Sequence, residues 1–230
     1  MTKLSRRVFL GSAPAAAAAA GVFGTLFSSA AEAAINWDDT YNVIVIGAGG
    51  AGLSAAVSAK EAGCKKVVVL EKMMFAGGNT IRAGGGFNAA IKADYEKAGI
   101  KDSPDLHAQQ TLAAGDGRGD PVLVHQLTEK APESVQWLKD HGVKFEGHIY
   151  QIYAGLYKRA RNPIGPRGSA YIKALLEVCK KEDIPILYNT RVVEIIREHQ
   201  LSGRVLGVKV EQKGGKTLYL RALNGVVAAA

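Results

Sequence analysis

The chain has 230 residues, 47% of them hydrophobic, and a formal net charge of +8 at neutral pH, enough polypeptide for one domain with a sizeable core. Two cysteines, Cys64 and Cys179, are too few for a disulfide framework, and the absence of a C-x-x-C-H motif excludes covalent c-type haem. The Lys and Arg residues are scattered, as in Lys65-Lys66 and Lys180-Lys181, without interleaved aromatics, a pattern that argues against nucleic acid as a partner.

The first element in the chain reads as an address. Ser5-Arg6-Arg7-Val8-Phe9-Leu10 fits the twin-arginine export pattern, an Ala/Gly-rich run follows from Gly11 to Phe27, and Ala31-Glu32-Ala33 supplies an A-x-A cleavage site. The expectation is a signal peptide over residues 1–33, a mature domain over 34–230, a periplasmic location and no stable membrane insertion after cleavage. An uncleaved anchor is the alternative; Pro14 and the small residues around it oppose a spanning helix. Twin-arginine export carries folded proteins, so the chain is expected to fold before it crosses.

The next element is the most informative. Val43-Ile44-Val45-Ile46 is an unbroken β-branched run, the pattern of a strand buried on both faces. Gly47, Gly49 and Gly52 then take the G-x-G-x-x-G spacing, and Leu53 to Ala62 reads as a helix. Val67-Val68-Val69-Leu70 is a second strand, ending in Glu71, 19 residues after Gly52. Together these make a βαβ dinucleotide-binding unit. Gly47 allows the tight turn, Gly49 lets backbone approach a pyrophosphate, and Gly52 lets helix and strand pack closely. The helix N-terminus presents free N–H groups to the phosphates. The carboxylate of Glu71 can accept ribose hydroxyls, which favours a free 2′-hydroxyl and so serves FAD and NAD alike.

From Gly77 to Gly86 there are five glycines in ten residues, a density no stable helix or strand interior carries. Ile81, Ala83, Phe87, Ala89 and Ala90 make the stretch too apolar for a flexible linker. Such a backbone suits a close pass along a flat ligand, with Asn79 and Thr80 adding side-chain hydrogen bonds.

Further along, Asp105 to Ala114, Pro121 to His141 and Gly168 to Lys181 read as helices. The second carries a core stripe of Val124, Leu127, Ala131, Val135 and Leu138 and stops at Gly142. Glu146 to Gly155 is irregular, with Tyr150 and Tyr153 and then Tyr157 expected in ordinary packing, stacking on a flat ligand being the alternative. Arg159 and Arg161 fit either a solvated basic loop or a substrate contact. His107, His125, His141, His148 and His199 are dispersed and are expected at the surface or at helix ends rather than as metal ligands. Ile186 to Tyr188 and Val192 to Ile196 are strand-like, and Val205 to Val210 and Thr217 to Leu220 alternate as strands around Gly214-Gly215, ahead of a separate last strand, Gly225 to Ala230.

On GAGGAGLSAA (47–56), LEK (70–72), GGNTIRAGGGFNAA (77–90), DSPDL (102–106), residues 120–145 and NTRVVEII (189–196), the chain resembles the FAD-binding domain of the fumarate reductase and succinate dehydrogenase flavoprotein family. The branch it is most similar to is the periplasmic flavocytochrome c fumarate reductases with their urocanate and methacrylate reductase relatives. The resemblance implies an α/β fold: a Rossmann-like FAD-binding domain with a parallel sheet plus an antiparallel β-meander, truncated before the substrate-cap domain. It implies FAD as cofactor, with Ala51, Glu71, Asn79, Thr80, Gly84 and Gly85 in contact with it. It also puts the backbone of Val192, or of its neighbour Val193, at the adenine side.

Members of the family often carry an Arg-x-His-Arg-Pro-like stretch near the substrate side; Arg159-Ala160-Arg161-Asn162-Pro163 lacks the histidine. The implied activity is reduction of a small α,β-unsaturated carboxylate such as fumarate by hydride from flavin N5, fed by a separate c-type cytochrome or a quinol-linked donor. Because the family's catalytic arginine and histidines come later than Ala230, no catalytic residue is assigned, and the expectation for this length is a fragment with little turnover. Two alternatives stand beside it: a ketosteroid-type dehydrogenase, and a non-catalytic flavin module that relays electrons.

Overall fold

The computed structural model describes residues 35–152, 157–200 and 202–230; the expected signal peptide and Tyr153 lie outside the described residues. Strand β1 (Asp39–Ile46) is the centre of the architecture. It runs parallel to β2 (Val67–Leu70), with Val43 opposite Val67 and Ile46 opposite Leu70. On its other side it runs parallel to β9 (Thr217–Ala228). With β6 (Ile186–Leu187), β7 (Thr190–His199) and β8 (Ser202–Gln212), the sheet has the order β6-β2-β1-β9-β8-β7. The fold is α/β, a parallel sheet extended by an antiparallel meander.

The alternation of β1 and β2 explains both layers. Val45, Val67 and Val69 face one side, where helices α1 (Gly50–Glu61) and α5 (Gly168–Lys181) cover them with Leu53, Val57, Ile172 and Leu175. Ile44, Val68 and Leu70 face the other side and pack with Val208, Val210 and Leu220 of the meander. Each such fully buried aliphatic side chain contributes about 1.5–3 kcal/mol.

One expectation is corrected here. The third strand of the meander and the last parallel strand are a single element, β9, antiparallel to β8 on one edge and parallel to β1 on the other. The break that the sequence shows at Asn224-Gly225 is a bulge: pairing slips between Tyr41–Ala222 and Val43–Gly225, where Gly225 has a φ of +156°. The Asn42 amide bridges the bulge by donating to Asn224 Oδ1 at 3.1 Å.

A second layer of smaller elements stands beside the sheet. β3 (Phe87–Asn88), β5 (Lys158–Arg161) and β4 (Tyr150–Gln151) make a three-stranded sheet in the order β3-β5-β4. Around it lie α2 (Lys92–Lys97), α3 (Pro104–Ala114) and α4 (Pro121–Asp140). Ala131 and Val135 of α4 pack with Ala89, as the sequence expects, but Leu127 is 62% exposed. Thr128 takes the inward position, and its hydroxyl donates to the His125 carbonyl at 3.1 Å, so the buried polar atom is satisfied. Among the described residues no helix is long and apolar enough to cross a membrane.

Candidate flavin site

The turn after β1 is built from backbone that side chains would block. Gly47 has a φ of +102°, and a Cβ there would lie 2.8 Å from the Ala229 oxygen. A Cβ on Gly52 would come within 1.8 Å of the Gly47 oxygen, so this glycine seats α1 against the turn. Gly49 is different. Its Cβ would meet only the Gly77 oxygen, 3.9 Å away, and its backbone is extended, so its bareness keeps a surface open rather than easing a contact. The first intrahelical bond of α1 runs from Leu53 N to Gly49 O at 3.0 Å, which leaves the Ala51 and Gly52 amides without an acceptor inside the helix. The Gly50 amide donates to Thr80 Oγ1 at 3.1 Å.

Glu71 sits at the end of β2, buried, and its carboxylate is held at both oxygens. Oε2 accepts the Ala48 amide of the glycine turn at 2.8 Å, and Oε1 accepts the Met73 amide at 2.8 Å. A carboxylate has about four lone-pair sites, so two remain for hydroxyl donors. The acid is thus oriented by backbone and kept able to accept.

The chain then returns to the turn. The Gly77 amide donates to Ala48 O at 2.8 Å, and Gly77 bridges to Gly49 in parallel fashion. Thr80 to Arg82 form one 3-10 turn, with the Asn79 side chain exposed just before it and the Thr80 hydroxyl beside α1. Gly84 is exposed, and a Cβ there would meet nothing within 4 Å. Gly85 is buried: with a φ of +83°, its Cβ would lie 2.9 Å from the backbone of Arg167. Tyr171 of α5 donates to the Gly85 oxygen at 2.7 Å, and burial pushes that phenol up to about 12, so it stays a donor. Gly85 therefore packs the segment onto α5, while Gly84 leaves its outer side bare.

Val192 lies on β7, half-buried against the cluster that contains Leu70. Two residues earlier, the Thr190 amide donates to Glu71 O at 2.9 Å, which ties the start of β7 to the acid. The structure thus brings together Gly47, Gly49, Ala51, Gly52, Glu71, Asn79 and Thr80 around one turn, with Gly84 and Gly85 along the following segment and Val192 on the strand that Thr190 ties to Glu71. Open backbone at Gly49 and Gly84, free amides at the start of α1 and an acceptor at Glu71 fit a dinucleotide.

Sequence reasoning missed Gly168, whose Cβ would come within 1.8 Å of the Thr80 oxygen, and with it the role of α5 in backing the segment. The signal was present in Gly165 and Gly168, which flank a strained Arg167 with a φ of +49°.

Of the two readings of Arg159 and Arg161, the solvated basic loop gives way. Each is buried, and both make hydrogen bonds to protein, while Arg161 Nη1 is a buried donor without a partner among the described residues. Arg159 donates from Nε and Nη2 to the two oxygens of Asp102 at 3.0 and 2.8 Å, and from Nη2 to Gln110 at 2.8 Å. Arg161 reaches Ala89 O at 3.1 Å and Asp94 at 3.0 Å. His107 is likewise buried rather than at the surface; burial and the neighbouring Arg159 depress its pKa and hold it neutral. Tyr150 and Tyr157 do pack, through bonds to Asn162 and to the Lys101 carbonyl. Cys179 is buried, its thiol pushed up to about 11, and Cys64 is half-buried.

Comparison with known proteins decides the family. A family model for the FAD binding domain matches residues 42–230. The chain belongs to the FAD binding domain family. Its cofactor is FAD, and the glycine turn with Glu71 falls inside the matched region. The acrylate reductase flavoprotein subunit of Shewanella woodyi is 31% identical over 98% of this chain and 46% of its own length. The fumarate reductase (cytochrome) of Shewanella frigidimarina is 34% identical over 75% of this chain and 30% of its own length. The open conformation of a flavocytochrome c3 fumarate reductase superposes with a TM-score of 0.77 at 28% identity, over 86% of this chain and 34% of that one. The chain thus spans less than half the length of these relatives.

Proposed function

We propose that this chain is the FAD-binding part of a periplasmic flavin-dependent oxidoreductase that reduces a small α,β-unsaturated carboxylate. The observation that carries the reading is the pairing of a buried, half-satisfied Glu71 with the side-chain-free backbone at Gly49 and Gly84. In this proposal Gly47, Gly49 and Gly52 shape the turn, and the Ala51 and Gly52 amides face the pyrophosphate. Glu71 accepts the ribose hydroxyls, and Val192 meets the adenine side through its backbone. Asn79, Thr80, Gly84 and Gly85 form the seat of the isoalloxazine. FAD, when bound, supplies hydride from N5. The chain's own residues bind and orient it and, through α5 and the glycine segment, back one side of it. No residue of this chain is assigned as the proton donor.

The substrate class is supported by the relatives. Acrylate and fumarate, in the names of the two Shewanella reductases, and urocanate, in that of an Eggerthella lenta urocanate reductase 34% identical over 82% of this chain and 31% of its own length, all carry a carbon–carbon double bond conjugated to a carboxylate. The electron donor in this reading is a separate c-type cytochrome or a quinol-linked partner. Export rests on Arg6 and Arg7. A second reading has one specific support: a 3-ketosteroid-Δ4-(5α)-dehydrogenase from Rhodococcus jostii superposes with a TM-score of 0.74 at 28% identity.

The test is a purified, exported chain, assayed for a visible flavin band and for oxidation of reduced viologen with fumarate, acrylate and urocanate. Enoate-dependent dye oxidation supports the reductase. Activity only with a 3-ketosteroid and a dye acceptor supports the second reading. A yellow protein inert in both assays is a flavin-binding or electron-relay module. A colourless protein that refuses added FAD overturns the site itself. For the address, Arg6→Lys with Arg7→Lys is expected to hold the protein in the cytoplasm on fractionation.

A further inference from the structure

Away from the flavin site, helices α3 and α4 bring three donors of mixed chemistry to one place. Asp105 lies in the first turn of α3. His125 and Glu129 stand at i and i+4 on α4, the spacing that puts two side chains on the same helix face. One ligand atom of each of the three lies within 4.8 Å of the other two. We propose that Asp105, His125 and Glu129 form a binding site for a first-row divalent cation, with Zn2+ as its representative. Nothing in this proposal depends on the oxidoreductase reading.

The donor set is what such a cation takes. One imidazole and two carboxylates give three protein ligands, and imidazole with carboxylate suits borderline metals such as zinc. The remaining coordination positions have room, because a concavity of about 490 Å³, lined by Pro121, Val122, His125, Gln126 and Glu129, adjoins the cluster. The scaffold is held at both helix starts. Ser103 Oγ accepts the Leu106 amide at 3.0 Å, and Asp120 Oδ1 accepts the Val122 amide at 2.8 Å.

The two acids of the cluster also lack a lysine or arginine in short contact. With a neutral imidazole, two carboxylates stand close together in a chain whose net charge is +8. Two other exposed acids take a lysine at short range: Asp39 pairs with Lys66 at 2.6 Å, and Glu133 with Lys130 at 2.8 Å. Lys130, the residue next to Glu129, makes its short contact with Glu133 and acts on Glu129 only as a longer-range charge. Among the described residues no Lys or Arg lies within 4.0 Å of Asp105 or Glu129. The cluster does not close on itself either. His125 Nδ1 and Asp105 Oδ1 are 3.9 Å apart, too far for a hydrogen bond. A divalent ion would neutralise both acids at once and staple α3 to α4.

The rival occupant is a proton: a protonated His125 between two acids needs no metal. Calorimetric titration of the full chain with Zn2+, and visible absorption with Co2+, separate the two. The expected result is one more equivalent of Zn2+ bound by the wild type than by His125→Ala/Glu129→Gln, which corrects for the cysteines and the other histidines. The Co2+ band is expected to vanish in either single variant. At about 100-fold excess over its Kd, Zn2+ is expected to raise Tm by on the order of 5 °C in the wild type and not in the variants. Equal Zn2+ uptake by wild type and double variant overturns the proposal. So does a pH-dependent Tm that Zn2+ does not move and that His125→Ala abolishes, which assigns the cluster to the proton. All three side chains are partly or wholly exposed, so the variants are expected to fold; circular dichroism checks this, and Asp105→Asn gives a third, independent loss of the site.

Discussion

Two regions of this molecule bury a charge, and they do it for different ends. Glu71 closes β2 and is answered by two backbone amides, one of them in the turn 23 residues earlier. Arg159 lies in the three-stranded sheet and is answered by the side chains of Asp102 and Gln110, 57 and 49 residues away. The acid is oriented yet retains lone pairs beside open backbone; the guanidinium is turned inward onto protein acceptors. A buried charge thus points to a ligand when its bonding leaves capacity directed at a vacant surface, and to architecture when side chains enclose it. The same division separates the glycines. Gly52 is bare because protein is in the way, Gly49 because protein is not.

The glycine pair gives the largest expected effect. Gly52→Ala places a methyl group on a carbonyl oxygen, and the expected cost is about 4 kcal/mol or more, with loss of bound flavin. Gly49→Ala leaves stability within about 1 kcal/mol and weakens FAD binding at least tenfold, about 1.4 kcal/mol. Urea unfolding and FAD titration on both variants read this directly. Equal stability losses would show that Gly49 is also a packing glycine and would remove it from the site.

Next is the inward-facing pair. Asp102→Ala strands a buried guanidinium and is expected to cost about 3–5 kcal/mol, whereas Asp102→Ala with Arg159→Met is expected to recover most of the loss. FAD affinity per folded molecule should not change in either. If the single variant alters flavin binding while stability holds, the Arg159 pair bears on the flavin site as well as on folding. Glu71→Gln is expected to do the reverse. Its amide must face a backbone N–H, which costs about 1–3 kcal/mol of stability, and the ribose acceptor is weakened, so FAD affinity falls roughly 10- to 100-fold. Unfolding and titration on the same preparation separate the two losses.

What could be read in the sequence follows the same line. β1, α1, β2 and Glu71 fall within 33 residues, where period, glycine spacing and a terminal acid act locally. α5 matches its expected bounds for the same reason, with Tyr171, Ile172 and Leu175 on one buried face. The double pairing of β9 was hidden because a bulge at Gly225 and a chain break look alike in one dimension. Arg159 and Arg161 were illegible because their partners lie on α2, α3 and the connecting chain, contacts that no local pattern announces. Leu127 was misassigned to the core because a threonine able to bond its own helix took the inward place. Asp105 joins His125 and Glu129 only once α3 and α4 pack side by side.

The smallest effect concerns the seam between the two regions, where Tyr171 of α5 holds the glycine segment through the Gly85 carbonyl. Burial raises this phenol from 10.0 to about 12. Because the folded-state value lies above the unfolded one, the stabilisation is complete below pH 10 and is lost as pH rises towards 12, at about 1.4 kcal/mol per pH unit. Tyr171→Phe leaves the buried carbonyl without its donor and is expected to cost about 1–3 kcal/mol at neutral pH. That difference should shrink as the wild type approaches pH 12, since the phenylalanine has no proton to lose. Chemical unfolding of the two proteins from pH 8 to 12, read as a difference so that lysines and other tyrosines cancel, tests the contact. Parallel curves would mean that the hydroxyl does not bear on folding and that Gly84 and Gly85 are held by the backbone of α5 alone.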